Sequence, residues 1–174
     1  MNKITNKKEK IIFKVLKKFF IQEKNIKKIL PIIEGSTKLS LRDLDWFVTN
    51  YAKERDIRYE IEDDEDFVVF YNYKLQLKAY NKKLFDPFCR RKRIVFYYNE
   101  SDYIITTIAQ LNFFYWAIEY KVLDYVENHL NDIKNDMALN TKKNKKNLIS
   151  ITTETTATFS EESDNSDKII LMFD

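Results

Sequence analysis

Apolar residues recur at three and four positions over residues 7–30, where Ile11, Val15, Phe19 or Leu16, Phe20, Ile26, Ile29 and Leu30 are separated by lysines. That spacing predicts one amphipathic, basic helix that stops near Pro31. Ser40 followed by Asp43 has the form of a capping box, and the helix it opens carries Leu41, Leu44, Phe47 or Val48, and Tyr51 on one face. Trp46 sits at the edge of that face, and the helix is expected to end near Arg55. The period then changes to two: Ile57, Tyr59 and Ile61 alternate with Arg58 and Glu60, and an apolar run from Phe67 to Tyr71 follows an acidic turn. A first hairpin results. The stretch 73–85 fits both periods, as Tyr73, Leu77, Tyr80 and Leu84 would share a helix face while Tyr71, Tyr73, Leu75, Leu77 and Ala79 would share a strand face. Lys74, Lys78 and Lys82 are on one face in either case.

Asp86-Pro87 breaks this element, because the residue before a proline is pushed out of the helical region. A second hairpin is expected from Ile94–Tyr98, a turn at Asn99–Asp102 and Tyr103–Ile105. Thr107 and Gln110 suggest another capping box, opening a long helix to about 137 that turns Ile108, Leu111, Tyr115, Ile118, Val122, Tyr125 or Val126, and Ile133 inward. Phe113, Phe114 and Trp116 make its first turns apolar on nearly all sides, which marks this half as the most buried helix. The pattern predicts an α+β fold, a mostly antiparallel sheet of two hairpins packed on a long C-terminal helix and one or two N-terminal helices. Three segments follow: a basic helical segment over 1–38, a core domain over 39–138 and a disordered tail over 139–174. The tail is first Lys-rich, then dominated by Ser, Thr and acids, and ends in the apolar run Ile169–Phe173. That run could dock on a partner or add a strand to this domain's sheet.

Composition sharpens the functional picture mainly by exclusion. The single glycine among 174 residues removes the P-loop and the dinucleotide fingerprint, both of which need several. The single cysteine removes an internal disulfide and the usual cysteine zinc sites, and points to a reducing compartment. Lysines interrupt every apolar run near the N-terminus, so neither a signal-peptide core nor a membrane-inserting span is expected. Catalytic candidates are weak. Cys89 and His129 each occur once and no oxyanion-hole pattern accompanies them; Glu119-Tyr120-Lys121 reads as exposed helix; the carboxylates over 62–66 lack the spacing of a calcium loop. The expectation is a protein with no enzymatic activity, no metal and no cofactor.

Net charge is only +3, but its distribution is uneven. Residues 1–38 hold eleven lysines against three glutamates, and Lys74 to Arg93 holds eight cations against Asp86 alone. Within the latter stretch Lys78, Lys82, Lys83, Arg90, Arg91, Lys92 and Arg93 surround Phe85 and Phe88. Arginine forks, lysine charges and stacking rings are what phosphate backbones and unstacked bases require, so these nine residues are the candidate contact surface for DNA or RNA. The competing reading is a solvated basic loop with Phe85 and Phe88 folded into the core.

The strings Ser40–Tyr51, Gln76–Tyr80, Phe85–Arg91 and Thr106–Phe114 together resemble an uncharacterised family of small proteins of nucleocytoplasmic large DNA viruses, of the mimivirus and phycodnavirus kind. The similarity covers about residues 36–137. It implies a viral protein of the host cytoplasm, confined to the viral factory or also packaged in the virion, and it implies no activity and no catalytic residues. Two functions fit these features: a nucleic-acid-binding accessory protein for transcription, replication or genome packaging, and a virion structural or assembly protein that binds another viral protein, its basic loop meeting an acidic neighbour and its apolar run Ile169–Phe173 hooking onto it.

Overall fold

The computed structural model describes residues 6–61 and 66–143. The described residues fall into two units, divided between Lys134 and Asn135. The first contains α1 (Lys7–Phe20), α2 (Glu23–Glu34), α3 (Leu41–Trp46), a π-helical turn (Phe47–Tyr51), α4 (Ala52–Glu54), β1 (Arg58–Glu60), β2 (Asp66–Val68), α5 (Val69–Tyr80), β3 (Ile94–Tyr97), β4 (Tyr103–Thr106), α6 (Ile108–Glu119) and α7 (Val122–Asn128). Residues 130–134 are helical again. In the second unit, residues 135–143 are helical, with the Thr141 hydroxyl donating to the Met137 carbonyl and the Asn140 amide to that of Asp136. Helix therefore extends past 139, where the tail was expected to begin. The acids at 62–65, Lys145, Lys146 and the apolar run Ile169–Phe173 lie outside the described residues.

The α+β class and the antiparallel hairpins are as the sequence predicts. The hairpins remain two separate two-stranded sheets, β1 with β2 and β3 with β4. The core is built around α6, whose buried residues Leu111, Phe113, Phe114, Trp116 and Ala117 leave only its last turn half wet. The rings of Phe19 and Tyr115 join α1 to it, and Phe13 and Phe20 of α1 meet Phe96 on the inner face of the second hairpin. The first hairpin covers the α6–α7 junction, where Phe67 stacks on Tyr120 and the Tyr59 hydroxyl donates to the Tyr120 carbonyl.

Several boundaries differ from the pattern-based expectation, each for a local reason. The predicted N-terminal helix is two helices broken at Ile21-Gln22, and only part of the expected face is inward: Leu16, Phe20, Ile26 and Ile29 are buried, whereas Ile11 and Val15 are exposed. Pro31 does not end α2 but sits inside it, and Gly35 terminates it in the left-handed conformation at φ 73°. The helix after Ser40 has its full capping box, then widens into the π turn, where the Ala52 amide reaches back five residues to the Phe47 carbonyl. The apolar run expected as a strand over 67–71 is strand only to Val68, and α5 settles the ambiguous stretch as helix up to Tyr80. The long C-terminal helix is interrupted at Lys121, which is left-handed at φ 54°, and again at His129. Past this turn Val122, Leu123 and Val126 of α7 are buried as well.

Gly35 gives a direct stability test. A Cβ there would meet nothing within 4 Å, so Gly35→Ala carries only the backbone penalty of a left-handed residue. We expect a loss of about 1 kcal/mol in urea unfolding, with Gly35→Asn costing less.

Alkaline pH gives a second. Burial first, and then the carboxylates of Asp45 and Asp86, push the Tyr73 phenol up to about 12, and burial raises that of Tyr59 as well. An unfolded tyrosine ionises near 10, so the stabilisation is complete below about pH 10 and is lost as pH rises through about 12. Phenolate absorbance should therefore rise together with loss of helix in that window, and Tyr73→Phe should shift the transition upward.

Candidate nucleic-acid interface

The basic loop begins where α5 stops. Asn81 takes φ 53°, its side-chain oxygen accepts the Lys83 amide at 2.9 Å, and the chain turns toward α6. Three groups of α6 then hold it. The Asn112 side chain donates to the Leu84 carbonyl (2.9 Å), the Asp86 amide donates to the Ala109 carbonyl (3.2 Å) and the Gln110 side chain donates to the Pro87 carbonyl (2.9 Å). Gln110 and Asn112 are both buried in an otherwise apolar helix, where an amide is retained only if it is hydrogen-bonded. Thr107 caps α6 as expected, accepting the Gln110 amide, but the Gln110 side chain does not return to the cap; its oxygen accepts the Thr106 hydroxyl while its nitrogen serves the loop.

Beyond Pro87 the turn closes on itself. The Asp86 carboxylate accepts the Phe88 amide at 2.8 Å and the Asp86 carbonyl accepts the Cys89 amide. Lys92 is left-handed at φ 54° and its ammonium donates to the Glu9 carboxylate of α1 at 2.9 Å. Lys8, next to Glu9, donates to the Ala79 carbonyl and lies over the Tyr80 ring. The first turn of α1, the end of α5 and the loop thus meet at one place, and Lys8 joins the basic cluster. Lys8 and Glu9 were not among the expected site residues. Glu9 could have been suspected, since it is the one acid among the lysines of α1.

The nine expected residues divide. Arg90, Arg91 and Arg93 are exposed and form no ion pair among the described residues. Lys78, Lys82 and Lys83 are exposed, Lys92 is committed to Glu9, and Phe88 is 37 % exposed. Phe85 is not a contact residue: it is 1 % exposed, packed against the rings of Tyr73, Phe113 and Trp116, and cannot reach a base. Behind the loop Asp45 and Asp86 lie close enough that burial, then the Asp86 charge, raises the Asp45 carboxyl above its ordinary range while Lys82 opposes the shift. The three arginines and Lys78, Lys82 and Lys83 carry the outward charge.

The other chemistry weighed from the sequence does not converge. Cys89 points its sulfur at the Arg91 carbonyl, whereas His129 bonds the Tyr125 carbonyl and stacks on the Tyr125 ring at 4.1 Å. The groove lined by Ile61, Val68, Tyr71, Leu75 and Tyr120 holds neither. Among the described residues no three of His, Cys, Asp and Glu cluster as metal ligands, and no helix is long and apolar enough to cross a membrane. Glu119 and Lys121 are exposed on either side of the α6–α7 break.

The model of a family of unknown function, DUF7197, matches residues 1–174. The chain belongs to this family. It is also 43 % identical over 151 residues to the uncharacterized protein L507 of Acanthamoeba polyphaga mimivirus, an alignment covering 82 % of this chain and 58 % of the relative, so the chain spans somewhat more than half of that protein's length. The viral resemblance seen in the sequence strings is thereby established at the level of family. No solved structure matches.

Proposed function

We propose that this member of the family is a non-enzymatic nucleic-acid-binding accessory protein of a large DNA virus, serving transcription, replication or genome packaging in the host cytoplasm, with the loop over 86–93 as its contact surface. The observation that carries the proposal is the tethering of that loop. Three bonds to α6 hold the backbone at Leu84, Asp86 and Pro87, and the Lys92 side chain ties the far end to α1, while Arg90, Arg91 and Arg93 stay exposed with no ion pair among the described residues. Clustered guanidinium groups repel one another, and a backbone that already holds them close together lets them bind phosphate oxygens bidentately at a lower ordering cost. The surface needs no catalytic group for this role.

Photo-crosslinking of the full chain to labelled DNA and RNA tests it: the crosslinked peptide should contain residues 86–93. Crosslinks confined to other peptides, or no complex at low salt, would reject the loop as the contact surface. A second reading, a virion assembly protein, is favoured by one observation, the exposure of Ile11 and Val15 one turn apart on α1. Failure to bind nucleic acid together with salt-independent self-association would favour it.

A further inference from the structure

The second hairpin is apolar on both faces. Its inner residues Ile94, Phe96 and Ile104 are buried, as a half-buried antiparallel pair requires. The outer face should then be polar, yet it presents Val95 paired with Ile105 and Tyr97 paired with Tyr103. Ile105 is 59 % exposed and the two tyrosines 54 % each, so no described segment covers them. The tyrosine rings lie 5.5 Å apart across the strands. The turn that joins their strands is held by Asn99, whose side-chain oxygen accepts the Ser101 amide at 2.9 Å and whose side-chain nitrogen donates to Asp102.

What adjoins this face decides what it fits. Arg93 immediately precedes β3, and the two-residue alternation carries the row Arg93, Val95, Tyr97 along the outer side, spanning about 13 Å at the ordinary strand rise. The platform therefore begins at the basic loop. Exposed rings beside exposed guanidinium groups that form no ion pair suit a chain that offers flat apolar bases and regularly spaced phosphates together. A duplex hides its bases and could use only the arginines.

We propose that Tyr97 and Tyr103 form a stacking platform for unpaired bases, so that this protein prefers single-stranded nucleic acid, with Arg90, Arg91 and Arg93 taking the adjoining phosphates. The proposal rests on the nucleic-acid reading above and adds the strandedness of the ligand. Its test compares affinity of the full chain for a single-stranded oligonucleotide and for the duplex of the same sequence at fixed salt, using the parent, Tyr97→Ser/Tyr103→Ser and Tyr97→Phe/Tyr103→Phe.

The parent should prefer the single strand. The serine variant should lose about tenfold or more in single-strand affinity with its duplex affinity unchanged, and the phenylalanine variant, which keeps both ring faces, should bind like the parent. Unchanged thermal unfolding of the serine variant excludes loss of fold as the cause; should it fail to fold, the parent's strand preference and an ultraviolet crosslink to the peptide holding Tyr97 or Tyr103 decide alone. Equal affinity for both strands with the arginine loop still required overturns the platform and leaves the general reading standing. Binding to neither overturns both. A serine variant that binds normally but loses self-association also overturns the proposal and makes the face a contact between copies of the chain.

Discussion

Phe85→Ala should lower unfolding free energy by about 3–5 kcal/mol, the range for deleting a buried phenyl ring whose cavity cannot collapse. Phe85 is surrounded by Tyr73, Tyr80, Phe113 and Trp116, large rings on two helices that cannot all move into the void. A loss of that size is a large part of the roughly 5–15 kcal/mol that holds a domain of this kind together. The same change should loosen the loop, since the Leu84 and Asp86 backbone bonds to α6 flank Phe85 on either side. Amide exchange at Asp86 and Phe88 should accelerate more than in the rest of the domain. Phe88→Ala, by contrast, should stay within about 0.5 kcal/mol of the parent, because its ring is partly in solvent. Equal effects of the two substitutions in chemical denaturation would contradict this assignment of core and surface.

The second large effect is on binding. Replacing Arg90, Arg91 and Arg93 together by alanine should leave thermal unfolding nearly unchanged and weaken nucleic-acid binding. The slope of log affinity against log salt should flatten by about two units on single strands, at roughly 0.7 per lost phosphate contact. Lys92 is better left in place, because removing it would strand the largely buried Glu9 carboxylate and confuse a binding defect with a folding one.

The sequence made the fold class legible because its apolar periods were clean where elements are long. The burial of α6 followed from three aromatics in its first turns, and the capping box at Ser40 and Asp43 gave the start of α3 to the residue. The misses are positions where tertiary packing overrode a local rule. Pro31 stays inside α2 and Gly35 supplies the stop. Lys121 breaks the last long helix by adopting a left-handed conformation that no pattern of hydrophobics encodes. Ile11 and Val15 fit a helical stripe, but α1 turns Leu16 and Phe20 toward α6 and the hairpin instead.

The site was legible as a charge cluster and not as a structure. Period and composition could not separate Phe85 from Phe88, since both flank the same proline; only the ring environment does. Gln110 read as half of a cap, whereas its buried amide joins Thr106 to the Pro87 carbonyl. Buried amides in an apolar helix are the one sequence signal that could have pointed to the tether, because such groups must find partners somewhere. The Tyr97 and Tyr103 pair was hidden for another reason: as strand residues they satisfied the hairpin pattern, and nothing in it shows that the face they occupy stays bare.

The most direct test of the account is fluorescence anisotropy of the full chain with single- and double-stranded DNA and RNA across a salt series, run in parallel with the Arg90, Arg91 and Arg93 alanine variant. The account predicts tight binding that weakens steeply with salt in the parent and a distinctly shallower dependence in the variant. Absence of binding at low salt, or identical slopes for the two proteins, would contradict it.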